Sequence, residues 1–280
     1  MREINVNEVT KAVRELCINS NCILNDDIYN SLKKSAETEV SEIGKDILQK
    51  LIKNADIAKE QMKPICQDTG MAVIFLEVGQ DVHFTGGDLT DAVNEGVRQG
   101  YIDGYLRKSV VGDPLLRVNT KDNTPAVIHY DIVKGDKVKI TVAPKGFGSE
   151  NMSKVFMLKP SQGVEGVKEA VLETVKMAGS NPCPPMVVGV GLGGNFEMSA
   201  YLAKKALLRP LDSFSDIPHI KELEEELLQK VNKTGIGPQG LGGKTTVLGL
   251  NIETFATHIA GLPVAINISC HVTRHGETIL

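Results

Sequence analysis

K-P-I-C-Q-D-T-G-M-A-V-I-F-L-E-V, residues Lys63 to Val78, decides how the rest of the chain is read. Pro64 and Gly70 bracket a thiol (Cys66), an amide (Gln67), a carboxylate (Asp68) and a hydroxyl (Thr69) on four successive residues. Proline and glycine at those places predict an ordered turn, and the apolar run from Met71 to Val78 predicts a buried strand. A strand-edge turn with four polar groups is a place where a rigid scaffold can position a site. The same stretch also fits a plain tight turn, with Asp68 capping backbone N–H groups and Cys66 serving as a small hydrophobe.

On the N-terminal side, residues 1–62 read as helical. Val9, Ala12, Val13, Leu16 and Cys17 fall on one apolar face, and Cys22 is placed in the connector that follows. Further helices are predicted over Asp27–Ala36 and from Ser41 to about Met62, the latter with Ile43, Ile47, Leu48, Leu51, Ile52 and Ala55 inward. On the C-terminal side, Asp88 is a helix N-cap. Ala126–Val133 and Lys137–Ala143 read as two strands joined at Lys134-Gly135-Asp136 in a hairpin. Val164–Ala178 is an amphipathic helix ended by Gly179. Pro218–Lys233 is another helix, with a solvated acidic face at Glu224 to Glu226. Thr246–Ile252 and Val264–Ile268 are strands, with His258 between them. The fold class expected is mixed α/β and helix-rich: N-terminal helices packed on one core with a mixed sheet and glycine-rich loops, residues 1–280 forming a single domain.

Two glycine motifs need weighing. Gly189, Gly191 and Gly194 match G-x-G-x-x-G between a strand and a helix. A dinucleotide fold then needs an apolar strand ending in an acidic residue, and R-P-L-D-S-F-S-D-I-P supplies no strand leading into Asp212. T-G-I-G-P-Q-G-L-G-G-K-T-T (residues 234–246) resembles a phosphate-binding loop, but Pro238 stands where the first glycine belongs. K-G-F-G-S-E-N (residues 145–151) frees backbone N–H groups to approach an anion.

The 280 residues carry a net charge of −4, which offers no basic field for nucleic acid or an anionic membrane. No apolar run approaches the roughly 20 residues that span a bilayer. Met1 opens into polar sequence, so no signal peptide is expected, and five widely spaced cysteines predict a reducing, cytoplasmic setting rather than a disulfide framework. Cys66, Cys183 (in N-P-C-P-P) and Cys270 (in S-C-H-V-T-R-H-G) each sit in a polar turn or strand end, and Cys17 and Cys22 do not. Three isolated thiols lack the close spacing of a zinc ribbon or a ferredoxin. They suit a cubane with three thiolate ligands and one iron left open as a Lewis acid.

K-P-I-C-Q-D-T-G, K-G-F-G-S-E-N, N-P-C-P-P, G-V-G-L-G-G, T-G-I-G-P-Q-G-L-G-G-K-T-T and S-C-H-V-T-R-H together resemble the alpha subunit of the class I iron–sulfur hydro-lyases. These are the oxygen-sensitive fumarate hydratases and the L-tartrate dehydratases. The resemblance runs from about Lys63 to the C-terminus. It departs at Phe147, where a third glycine is the family pattern. The resemblance implies a [4Fe–4S] cluster on Cys66, Cys183 and Cys270. It implies Gln67, Arg107 and Gly148 as substrate-binding residues, Asp68 as the general base or an assistant to it, and His258 as a group that binds substrate or aids proton transfer. His271 and Arg274 belong either to the site or to its supports. The implied activity is hydration of fumarate to L-malate, the tricarboxylic acid cycle step, with dehydration of L-tartrate to oxaloacetate as the alternative. It further implies a separate beta subunit, in an α2β2 assembly, and a small dicarboxylate as substrate. An iron–sulfur electron carrier is the contrasting class, and it needs a fourth protein ligand.

Overall fold

A computed structural model describes all residues, Met1–Leu280, as a mixed α/β protein. The chain separates into two compact units: residues 1–25, 55–146 and 274–280 make the first, and residues 26–54 and 147–273 the second. The N-terminal 62 residues are therefore shared between them.

In the first unit, the apolar run forms β2 (Met71–Gly79), of which only Met71 and Glu77 are less than buried. A strand apolar on both faces belongs in the middle of a sheet. Accordingly β2 pairs in parallel with β4 (Val127–Val133) and antiparallel with β5 (Val138–Lys145), and β10 (Gly276–Ile279) adds antiparallel to β5. The hairpin expected at Lys134–Asp136 does not form: β2 lies between β4 and β5. The connection instead crosses the end of β2, where Gly79 N–H donates to Lys137 O and Gln80 N–H to Val133 O. A short parallel pair, β1 (Arg2–Asn5) with β3 (Val82–Thr85), completes the strands.

Helices α1 (Val6–Cys22) and α4 (Leu89–Asp103) share the core of this unit through Val9, Val13, Cys17, Val93, Val97 and Tyr101. Each start is capped: Asn5 and Glu8 form a capping box at α1, and at α4 the expected cap Asp88 accepts from Asp91 N. The two helices cross closely because α4 carries glycine at the contact. A Cβ on Gly100 would stand 2.7 Å from the Cys17 Cβ. Cys22 is not in a connector but in the last turn of α1, buried.

In the second unit, β7 (Met186–Gly193) pairs in parallel with β8 (Val247–Phe255) and antiparallel with β9 (Leu262–Ser269). The strand β6 (Lys154–Leu158) adds antiparallel to β9. Alternation along β7 gives it two different faces. Met186, Val188 and Val190 enter a core with α6 (Gly163–Ala178) and α8 (Pro218–Asn232). On the other face Gly189 and Gly191 meet α7 (Phe196–Ala206), where a Cβ would stand 2.2 Å from Ala203 O and 1.9 Å from Ser199 O. The G-x-G-x-x-G pattern is thus a close strand–helix contact, which accounts for its glycines without a nucleotide.

Two acidic residues are structural. Glu224 is not on a solvated face: it is 1% exposed and ion-paired to Arg209, and it also accepts from Ile252 N and Ser215 N. Glu39 follows α2 (Asp26–Thr38) and precedes α3 (Glu42–Gln61). Its carboxylate fills the turn of the 234–246 glycine loop, accepting from Lys244 N, Thr245 N, Val40 N and Ser41 N at 2.7–3.1 Å. Burial alone would push the Glu39 carboxyl up; the backbone N–H bonds from Lys244, Ser41, Thr245 and Val40 overcome this and bring it down to about 2. The contribution is complete above the unfolded pKa of 4.5 and is lost as pH falls toward about 2. Its size is about 3 kcal/mol. Glu39→Gln is expected to lower unfolding free energy by about 2–3 kcal/mol at pH 7, with the gap to wild type closing as urea titrations move toward pH 2. Ile43, expected to face inward on α3, is exposed, while Gly44, Leu48, Ala55 and Ala58 form the buried stripe.

Candidate functional site

Gly70 sets the first part of the site. Its φ of +73° and a backbone approach to Lys145 that leaves no room for a Cβ (2.6 Å) turn the chain into β2. Just before it, Asp68 Oδ1 accepts from Gly70 N at 3.0 Å, and the Asp68 carbonyl accepts from Arg274 Nη2 at 2.7 Å. Arg274 is buried, so its cation is fixed beneath the turn. Gly146 lies on the other side: a Cβ there would be 3.1 Å from Asp68 Oδ2. The Thr69 hydroxyl accepts from Arg107 N at 2.9 Å and donates to Arg107 O at 3.2 Å. The buried Tyr101 hydroxyl donates to Thr69 O at 2.8 Å, and Asn123 Nδ2 donates to Gly70 O at 3.1 Å. The result is a hydrogen-bonded turn that carries Gln67, a half-buried Cys66 and Asp68 and is tied through Thr69 to the backbone of an exposed Arg107. A carboxylate and an amide on a turn tied to the backbone of an arginine are the groups that can bind a carboxylic acid and move a proton at the carbon next to it.

The second unit gathers a different set. Cys183 is exposed at φ +54°, between the buried Pro182 and Pro184. Its carbonyl accepts from His271 Nδ1 at 2.8 Å, which places the ring proton on Nδ1. The next carbonyl, Pro184 O, accepts from both the backbone N and the Nε2 of Gln239. Cys270 follows β9, and its carbonyl accepts from the Thr273 N and Oγ1. His271 thus ties the Cys270 segment to the Cys183 loop and is a support of both. Gly148 lies in a short helical turn, Phe147–Glu150, rather than an open loop, and a Cβ on it would be 3.8 Å from Asn181 O, two residues before Cys183. That turn is anchored by Glu150, which pairs with Lys204 and accepts from Asn267 Nδ2.

His258 is not brought to this end. Cys183 precedes β7, whose start pairs with the start of β8 and the end of β9. His258 follows the far end of β8, in an exposed turn where its Nδ1 accepts from Ala260 N. Eight residues of strand separate the two ends, about 25 Å at the usual rise.

The five thiols divide as their motifs do. Cys17 and Cys22 are buried, and burial pushes Cys17 up to about 12 and raises Cys22 against the opposing pull of Arg274. A core thiol of that kind is a poor thiolate donor. Cys66, Cys183 and Cys270 are each partly or fully exposed, in turns free of such burial. They fit the chemistry of thiolate ligation; one belongs to the first unit and two to the second. No three Cys, His, Asp or Glu side chains stand grouped at metal-binding distance. No helix is long and apolar enough to cross a membrane.

The sequence model described as fumarate hydratase (Fumerase) matches residues 10–279. A chain of Methanocaldococcus jannaschii described as "Putative L(+)-tartrate dehydratase subunit alpha" is 42% identical over 273 residues, 95% of each chain. The L(+)-tartrate dehydratase subunit alpha of Escherichia coli O157:H7 is 34% identical over 279 residues, 98% of this chain and 91% of that one. The protein of the same description from Escherichia coli K12 is 33% identical, with the same coverage.

Proposed function

This chain belongs to the fumarate hydratase family, and is a hydro-lyase; from that premise we propose that it is the alpha subunit of an iron–sulfur enzyme that reversibly hydrates fumarate to L-malate. The observation that carries this reading is the turn that sets Gln67, Asp68 and Cys66 beside Arg107 through the Thr69 hydroxyl. Cys66, Cys183 and Cys270 would hold a [4Fe–4S] cluster. When bound, it supplies an open iron that stabilises charge on a leaving hydroxyl and a carboxylate oxygen. Asp68 takes the proton from the carbon next to the substrate carboxylate, an acid too weak to give it up without a positioned base. Arg107 pairs with a carboxylate in two parallel hydrogen bonds, as guanidinium geometry permits. Gln67 donates its amide to the same group, and Gly148 leaves space at the Cys183 loop for a ligand to approach the backbone. His258, at the opposite end of the β7–β8 pair, is left out of this assignment.

L(+)-tartrate dehydration to oxaloacetate is the second reading, favoured by the names of the similar chains. Both substrates are four-carbon dicarboxylates that lose or gain water beside a carboxylate, so one arrangement of base and clamp serves either. The description of those chains as subunit alpha supports a separate beta subunit, which we place in an α2β2 assembly. Anaerobic reconstitution of this chain with its beta subunit, assayed on fumarate, L-malate and L(+)-tartrate side by side, tests the proposal. Turnover of malate and fumarate at a kcat/KM at least about tenfold above tartrate is expected. The reverse ratio would establish the second reading, and turnover of none of them would remove both.

A further inference from the structure

The Thr69 side chain touches no reacting group in the chemistry above, yet both hydrogen bonds of the Arg107 backbone are made to it. The two residues are 38 positions apart in sequence. Thr69 itself is 2% exposed. The neighbouring links are independent of it. Tyr101 O accepts from Leu106 N, and Asn123 Oδ1 accepts from Ser109 N and Val110 N. The Tyr101 hydroxyl and the Asn123 amide hold the Thr69 and Gly70 carbonyls. The segments on both sides of Arg107 are therefore docked without the Thr69 hydroxyl, and so is the turn that carries Asp68. What the hydroxyl adds is the direct link between the Arg107 backbone and the residue that follows Asp68.

We infer that Thr69 is a positioning residue that sets substrate affinity by holding Arg107 in register with Asp68. This rests on the reading of Asp68 as base and Arg107 as carboxylate clamp. A clamp that makes equal contact with substrate and transition state acts on KM and leaves kcat alone. A misplaced clamp should therefore show as weaker binding at nearly constant turnover.

The test uses the reconstituted complex with Thr69→Val, which keeps the shape and removes the hydroxyl, and Thr69→Ser, which keeps the hydroxyl. Two quantities are read: KM and kcat for the working substrate, and the Kd of succinate, which cannot lose water, by calorimetry. Thr69→Val is expected to raise KM and the succinate Kd about tenfold, with kcat within about threefold of wild type. Thr69→Ser should bring both back to within about threefold of wild type. An unchanged KM and Kd in Thr69→Val, a loss confined to kcat, or a serine variant as impaired as the valine one would overturn the inference. If the valine variant does not fold, Thr69→Ala carries the same test, and failure of both to fold would mark the hydroxyl as needed for the fold alone and overturn the inference. A wild-type complex that turns over none of the dicarboxylates refutes the functional reading instead, a result distinct from any difference between variants.

Discussion

Serine in place of Cys183 is expected to abolish iron–sulfur incorporation and to lower turnover by on the order of 10³-fold, the loss of several kcal/mol of charge stabilisation. Cys183 is the most exposed of the five thiols, held in a left-handed backbone conformation between two buried prolines. Its carbonyl and the next are pinned by His271 and Gln239. A stiff loop with two anchors is built to aim a side chain, not to bury one. The same loss is expected for Cys66→Ser and Cys270→Ser. Cys17→Ala supplies the contrast. Cys17 packs in the α1–α4 core and its thiol is pushed up to about 12. Its removal should cost about 1 kcal/mol of stability and leave iron and sulfide content untouched. Iron and sulfide analysis of the four variants, alongside urea unfolding, separates the two kinds of cysteine.

The second large effect is at Asp68. Asp68→Asn keeps the shape and the turn, since an amide oxygen can still accept from Gly70 N, but removes the proton acceptor. General base catalysis contributes about 10²–10⁴-fold, so kcat should fall by that order with the succinate Kd changed by less than about threefold. A variant with normal kcat would move the base elsewhere. The contrast with Thr69 is the useful part: one residue is expected to act on turnover, the other on affinity, although they are adjacent in the chain.

What could be read in the sequence was what is local. The apolar run fixes β2, Asp88 caps α4, and the periodic face of α1 is buried as its spacing predicts. The burial of Cys17 was legible from its helical spacing, whereas Cys22, read as a connector residue, is buried in the last turn of α1. The sheet order was not. A turn-like Lys134-Gly135-Asp136 between two strands suggests a hairpin, and nothing near it says that β2, the more apolar strand, takes the central place. Partners distant in sequence were also hidden. Glu39 reaches a loop 205 residues away, Tyr101 and Asn123 reach 32 and 53 residues back to the strand edge, and Arg209 turns Glu224 into a buried ion-pair partner. Each of those side chains looks ordinary until its partner is known. His258, whose role came only from the resemblance, follows the end of β8 opposite the Cys183 loop.

Anaerobic iron–sulfur reconstitution of the wild-type chain with the proposed beta subunit, followed by Mössbauer spectroscopy of the ⁵⁷Fe-loaded complex with and without substrate, bears most directly on the central claim. One [4Fe–4S] cluster per alpha chain, with one iron site whose signal shifts when dicarboxylate is added, is the predicted result. A chain that takes up no iron, or a cluster whose four irons are all indifferent to substrate, would contradict the account.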